Sequence, residues 1–238
     1  MQQLIEAANH FGIQLNSVQL EQFRLYRDEL ITWNRSLNLT AINTPEDIEL
    51  KHFADSLSVL PALGKEAFEG SPEVIDIGTG AGFPGIPLKI AFPCIRLTLL
   101  DSTQKKLRFI EHITTRLGLE NASVVTGRAE EIAHDPSHRS CYQLVLSRAV
   151  AKLPALAELC LPYCSVNGLL ATYKKGDISQ EVASCQNAVE MLGGKIKGLS
   201  EVTFPGLADG RFIVIMEKIN PTPLKYPRRP GIPLKNPL

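Results

Sequence analysis

Between Glu73 and Pro87 the chain reads EVIDIGTGAGFPGIP, and few folds accommodate such a segment. Val74, Ile75 and Ile77 are apolar residues with high β propensity, and glycines follow at once at 78, 80, 82 and 85. A buried strand therefore runs into a turn where side chains would obstruct something. Glycine tolerates positive φ and lets backbone approach bulky matter, and the N–H groups of a helix starting near Pro84 would point into the same space. A strand, a turn and a helix arranged around a ligand form the first unit of an α/β sheet.

Two ligand classes suit that turn. Gly80-x-Gly82-x-x-Gly85 has the spacing of the dinucleotide fingerprint, in which a pyrophosphate rests on the helix start. Gly78-x-Gly80-x-Gly82, with Asp76 in the strand end before it, instead resembles the first motif of class I S-adenosylmethionine (SAM) methyltransferases. A carboxylate at the mouth of the site would repel a pyrophosphate but can accept hydrogen bonds from the ammonium end of an amino-acid-bearing cofactor. Arg96 to Leu100 reads as a second strand and ends at Asp101, where a ribose-binding carboxylate sits in either fold. Asp101 or Ser102 would equally serve as the N-cap of a helix through Lys105, Leu107, Ile110 and Ile113.

The remaining strands decide between the two. Ala122 to Thr126, Gln143 to Leu146 and Gly168 to Tyr173 read as strands separated by helical stretches at 102 to 117, 129 to 134, 153 to 163 and 177 to 192. That alternation predicts a parallel, doubly wound sheet. Glu201 to Phe204 and Arg211 to Lys218, linked by Pro205 to Gly210, predict a closing antiparallel couple. Seven strands, mostly parallel with a final antiparallel strand, fit the Rossmann-like class I SAM methyltransferase sheet better than a nicotinamide domain. In such sheets ligands lie beyond the carboxyl ends of the strands, which here carry Asp76, Asp101, Ala129-Glu130, Arg148 and Lys174-Lys175.

Ahead of the sheet, residues 2 to 11 predict a short helix. A longer one after Asn16 or Ser17 carries an apolar stripe of Phe23, Tyr26, Leu30, Trp33 and Leu37. Asn34 and Asn38 lie near its end, where capping is their ordinary use. Thr44-Pro45-Glu46-Asp47 starts a further helix expected to reach Leu60, on which His52 and Asp55 share a face. That pair can orient an imidazole, or form a surface ion pair. The expected organisation is an N-terminal helical extension at 1–70, a SAM-binding domain at 71–218 and a Pro-rich basic tail at 219–238.

Charge and cysteine content narrow the setting. Residues 1–70 hold five Lys and Arg against ten Asp and Glu, whereas residues 218–238 hold five basic residues and no acidic one, so a nucleic acid would meet the tail rather than the front. Five cysteines without a C-x-x-C pair support neither a disulfide framework nor a metal site. With no basic leader and no long apolar run, the expectation is a cytoplasmic chain without membrane contact.

Several segments together resemble one family. YRDELITWNRSLNLTAI, HFADSLSVL, VIDIGTGAGFPGIPLKIAFP, LLDSTQKKLRF, GRAEE, LSRAVA and YKKG are similar to the GidB (RsmG) family. These are bacterial and plastid methyltransferases that make 7-methylguanosine in the decoding-region loop of 16S rRNA. The resemblance implies that SAM meets Gly78, Phe83, Asp101, Ser102, Thr103, Ala129, Glu130 and Arg148, beside the Asp76, Gly80 and Gly82 of the turn. It implies 16S rRNA or the small ribosomal subunit as partner, a monomer, and the cytoplasm, or the plastid stroma for an organellar member. No Asn-Pro-Pro-aromatic or cysteine nucleophile motif follows the fourth strand, as suits guanine N7, whose lone pair carries no proton; positioning alone can supply much of the rate. Asn34, Asn38, His52 and Arg148 are the candidates for shaping the base pocket. The tail prolines are expected to leave Lys225, Arg228, Arg229 and Lys235 on an extended, solvated strand along RNA phosphates. The alternatives are a small-molecule SAM methyltransferase and, behind it, a nicotinamide-dinucleotide-binding protein.

Overall fold

The structure, a computed structural model, describes residues 1–238. Its centre is a seven-stranded sheet of β1 (Glu73–Ile77), β2 (Arg96–Asp101), β3 (Ala122–Thr126), β4 (Tyr142–Arg148), β5 (Cys164–Lys175), β6 (Gly194–Glu201) and β7 (Arg211–Lys218). The strand order is β3-β2-β1-β4-β5-β7-β6. β1 to β5 pair in parallel, and β7 runs antiparallel to both β5 and β6. The order reverses at β1, so the carboxyl ends of β1 and β4 flank the crevice where such sheets bind ligands.

The helices are α1 (Gln2–His10), α2 (Ser17–Leu37), α3 (Pro45–Ile48), α4 (Asp55–Leu57), α5 (Leu60–Leu63), α6 (Gly85–Ala91), α7 (Gln104–Arg116), α8 (Ala129–Ile132), α9 (Leu153–Cys160), α10 (Ser179–Met191) and α11 (Ile232–Lys235). Strand residues alternate between two cores, as a period of two requires. Val74, Leu97, Leu99, Leu144 and Leu146 face a core shared with α1, α2, α6 and α7, while Ile75, Ile77, Leu100 and Val145 face one shared with α9 and α10. The N-terminal helices thus form part of one layer of the fold. Asn16 starts α2 with a capping box to Gln19. Phe23, Tyr26 and Leu30 on its stripe are fully buried, each worth roughly 1.5–3 kcal/mol of docking.

Three sequence expectations change. The helix from Thr44 does not run unbroken to Leu60: a π-helical turn, Glu49–Ala54, links α3 to α4, and a further turn separates α5. Glu49 in that turn is pinned by the N-terminal amine at 2.8 Å and by Arg27 at 2.9 Å. The sixth strand is Gly194–Glu201, with Val202 and Phe204 leaving the sheet to enter the core near Phe11. The tail is not an extended, solvated strand. Tyr226 is buried, Arg228 grips the buried Glu158, and Ile232–Lys235 closes a helical turn with Pro233 in its first turn, where proline costs no hydrogen bond.

Candidate active site

Asp76 lies at the end of β1 and is fully buried, not at the mouth of the crevice. Its Oδ2 accepts from Thr79 Oγ1 at 2.7 Å and from the Gly85 N–H at 2.9 Å, closing the glycine turn onto the start of α6. Oδ1 has no partner. Burial outweighs these bonds and pushes the carboxyl up to about 6. Tyr26 of α2 fastens the same turn from outside, donating its hydroxyl to the Ala81 carbonyl at 2.5 Å. A Cβ at Gly82 would come within 2.6 Å of that hydroxyl, so Gly82 serves the approach of α2. Gly80 differs. It sits at φ +63°, and a Cβ there would meet nothing nearer than the Gly78 carbonyl at 3.9 Å, so close packing does not explain it.

Beyond Gly78 a cleft of about 280 Å³ is lined by Asp101, Ser102, Thr103, Ala129, Glu130 and neighbours. Asp101 is almost buried; Oδ2 accepts from the Gly80 N–H at 3.0 Å and Oδ1 from the Thr103 N–H at 2.8 Å. Each oxygen keeps a further lone pair for ligand hydroxyls. Thr103, not Asp101 or Ser102, occupies the N-cap position of α7, so capping that helix does not explain the aspartate. Ile77, Leu100, Val150 and Leu159 supply apolar wall. A glycine turn, an anchored carboxylate and an apolar recess fit the ribose and base of an adenosyl cofactor.

Phe83 and Arg148 do not line this cleft. A second cleft of about 400 Å³ adjoins the first at Ala149, which holds the left-handed φ of +57° that non-glycine residues rarely adopt. Here Asp55, 4% exposed, receives Arg148 at 2.6 Å through Oδ2 and Arg211 at 2.7 Å through Oδ1. Arg148 Nη2 also lies 3.2 Å from His52 Nδ1, and His52 Nε2 lies 2.8 Å from Thr40 Oγ1. A guanidinium can only donate, so Nδ1 accepts and Nε2 carries the proton that it donates to Thr40. Burial, then the charge of Arg148, lowers the imidazole to about 3, leaving it neutral. The expected surface ion pair is therefore a buried network in which Asp55 reaches His52 only through Arg148. Phe83 is its floor: His52 stacks on the ring at 4.3 Å between centroids and Arg148 stands 5.1 Å above it.

The two asparagines stay outside. Asn34 clamps the backbone of Thr40 through Nδ2 to its carbonyl and Oδ1 from its N–H, both at 2.9 Å. It thereby presents the hydroxyl that His52 uses. Asn38 is exposed and ends α2 in a left-handed conformation, the helix-terminus role. Sequence reasoning omitted Thr40, Tyr173 and Arg211 from the site. Arg211 is brought in by the antiparallel pairing of β7 with β5, where it lies opposite Lys175, a signal available only from that long-range register.

The family model described as "GidB: rRNA small subunit methyltransferase G" matches residues 19–204. The chain belongs to the GidB family. Ribosomal RNA small subunit methyltransferase G of Dehalococcoides mccartyi strain CBDB1 is 48% identical over 238 residues, the whole of both chains. The protein of that name in Acetivibrio thermocellus is 44% identical across 99% of this chain and 95% of its own. Among solved structures, a precorrin-6y C5,15-methyltransferase of Geobacter metallireducens superposes with a TM-score of 0.51 at 15% identity, over 69% of this chain and 87% of its own. TYW2 of M. jannaschii, in complex with AdoMet, scores 0.50 at 14% identity, over 68% and 77%. These two speak for the fold alone. As a GidB-family member the chain is a SAM-dependent methyltransferase, and the nicotinamide reading falls. No helix is long and apolar enough to cross a membrane, and no cluster of candidate metal ligands is present.

Proposed function

We propose that this chain methylates N7 of a guanine in the decoding-region loop of 16S rRNA, acting as a monomer in the cytoplasm on RNA or the small ribosomal subunit. The observation that carries the reading is the junction at Ala149 of an adenosyl-type cleft with one lined by Lys51, Arg148, Lys174, Lys175 and Arg211 against a single carboxylate, Asp55. The relatives bearing the small-subunit rRNA name support it.

SAM would be held by Asp101 at the ribose, the Gly78–Gly80 turn along its length and the Ala129–Glu130 turn at the base, and when bound supplies an electrophilic methyl. Guanine N7 attacks with a lone pair that bears no proton, so no base is required. His52 agrees with that economy, since it is neutral and both its ring nitrogens are engaged. Its work is to hold the Arg148 guanidinium above Phe83, where the remaining N–H groups can meet guanine O6 or a phosphate. Lys51 and Lys175 are bound only by exposed carboxylates, Asp47 and Asp209, pairs of small net worth that a phosphate can replace. Incubation with labelled SAM and small-subunit RNA or subunits, followed by base mapping, tests the reading. Label on N7 of a decoding-loop guanine is expected; label elsewhere in the RNA, or only on a small molecule, overturns it.

A further inference from the structure

Instead of reaching away from the domain, the basic tail returns to the cofactor cleft. Arg139 donates to the carbonyls of Thr222 and Tyr226 at 2.9 and 3.0 Å, and His134 Nε2 donates to that of Pro227 at 2.9 Å. Arg228 then clasps Glu158, whose side chain has no exposure, at 2.6 to 3.1 Å through Nε and Nη2. A carboxylate so buried is tolerated only with such a partner. From this anchor the chain turns at Gly231, φ +82°, and the Gly231 N–H donates to Glu130 Oε1 at 2.9 Å. One residue of the following helical turn, Leu234, lines the cofactor cleft while 49% exposed.

Glu130 belongs to the turn that would meet the base, and its neighbour is fixed by Tyr163, whose hydroxyl donates to the Ala129 carbonyl at 2.7 Å. The tail thus sets the second support of this turn and adds an apolar side chain with half its surface uncovered. An apolar surface left open beside a recess of Leu100, Val150 and Leu159 suits a flat, weakly polar ligand face.

We propose that residues 226–234 are part of the SAM site, with Leu234 covering the adenine face and Gly231 positioning Glu130. The proposal rests on the cofactor lying in the Asp101 cleft. Both SAM and methylthioadenosine carry adenine, so both report on the wall, whereas only SAM reports on the amino-acid end.

Titration calorimetry on the full chain, on Leu234→Ala, on Leu234→Met and on a chain ending at Pro230 tests it. The truncation keeps the Arg228–Glu158 clasp but loses Gly231 and Leu234. Leu234→Ala should weaken both ligands about five-fold, as expected for uncovering part of a leucine, and Leu234→Met should restore most of it. The truncation should cost both at least about ten-fold. Gly80→Val is the control for the cleft. If it abolishes binding while Leu234→Ala and the truncation leave both dissociation constants within about two-fold, the tail is only structural and the proposal fails. If Gly80→Val also leaves binding intact, the cleft assignment itself is wrong.

Discussion

The two clefts that meet at Ala149 are built on opposite plans. The cofactor cleft is made from backbone: glycine φ values, N–H groups turned onto Asp76 and Asp101, and carboxylates anchored by main chain. The second is made from long side chains, with Arg148 of β4 and Arg211 of β7 held to one aspartate and one histidine of the 49–57 segment, beside Lys174 and Lys175 of β5. A backbone site has little freedom to lose on binding, so it favours tight recognition of one small molecule. A side-chain site with exchangeable surface pairs suits a large polyanion whose grip depends on salt.

That contrast can be broken first at Gly80. Gly80→Val puts a branched side chain at a φ it tolerates poorly, on the residue whose N–H holds Asp101, and should raise the SAM dissociation constant by more than about 100-fold. Its RNA affinity should stay within about two-fold, and a parallel loss of RNA binding would merge the two sites into one. Asp55→Ala is the converse. It strands two largely buried guanidinia, so unfolding by urea should show a loss of about 2–4 kcal/mol, while calorimetric SAM affinity of the folded protein changes little. Asp101→Ala should cost on the order of 1.5–3 kcal/mol of SAM affinity, and Asp101→Asn less. Because Asp101 also holds Gly80 and Thr103, the melting temperature should fall with it.

His52 sharpens the comparison through pH. Its folded pKa of about 3 lies below the unfolded value near 6.5, so the unfolded chain gains the proton first as pH falls. Stability is therefore lost between pH 6.5 and 3, at up to about 1.4 kcal/mol per unit. Asp76 acts oppositely: raised to about 6, it adds stability below the unfolded carboxyl range and loses it as pH rises towards 6. The wild-type curve blends the two, but His52→Gln should remove only the first. Its stability difference between pH 7 and pH 5 should be about 2 kcal/mol smaller than that of the wild type; an equal difference would mean that His52 titrates in the fold as it does in the unfolded chain. The smallest effect belongs to Lys175→Ala, which should flatten the slope of log RNA affinity against log salt by less than about one unit, with SAM binding unmoved.

The backbone-made cleft was the legible one. Its glycines and Asp101 sit on the ends of adjacent strands that the sequence presents in order, so periodicity and spacing locate them. Asp76 was found but misplaced, because a pattern gives the position of a carboxylate and not the direction in which β1 turns it. The side-chain cleft needed long-range register. His52 and Arg148 were named, yet Arg211 depends on its pairing opposite Lys175, and Thr40 on a hydrogen-bonded loop after α2. In the tail, proline count hid the clasp, since nothing local announces that Glu158 is buried seventy positions upstream of Arg228.

The π-helical turn at Glu49–Ala54 fixes His52 and Asp55 in phase by residue count rather than by any side chain. Such a turn holds one residue more than an α-helical turn of the same rise. Deleting Leu50 would let the segment close as ordinary helix with its two ends still in phase, but His52 and Asp55 would then take α-helical instead of π-helical spacing. Glu49 is tied to the N-terminal amine and Arg27 on one side, and Asp55 to two arginines on the other, so both ends stay held and the change falls on His52 between them. Length at this point is as much a requirement of the site as the identity of its histidine, and a single-codon loss would be felt there more than most substitutions.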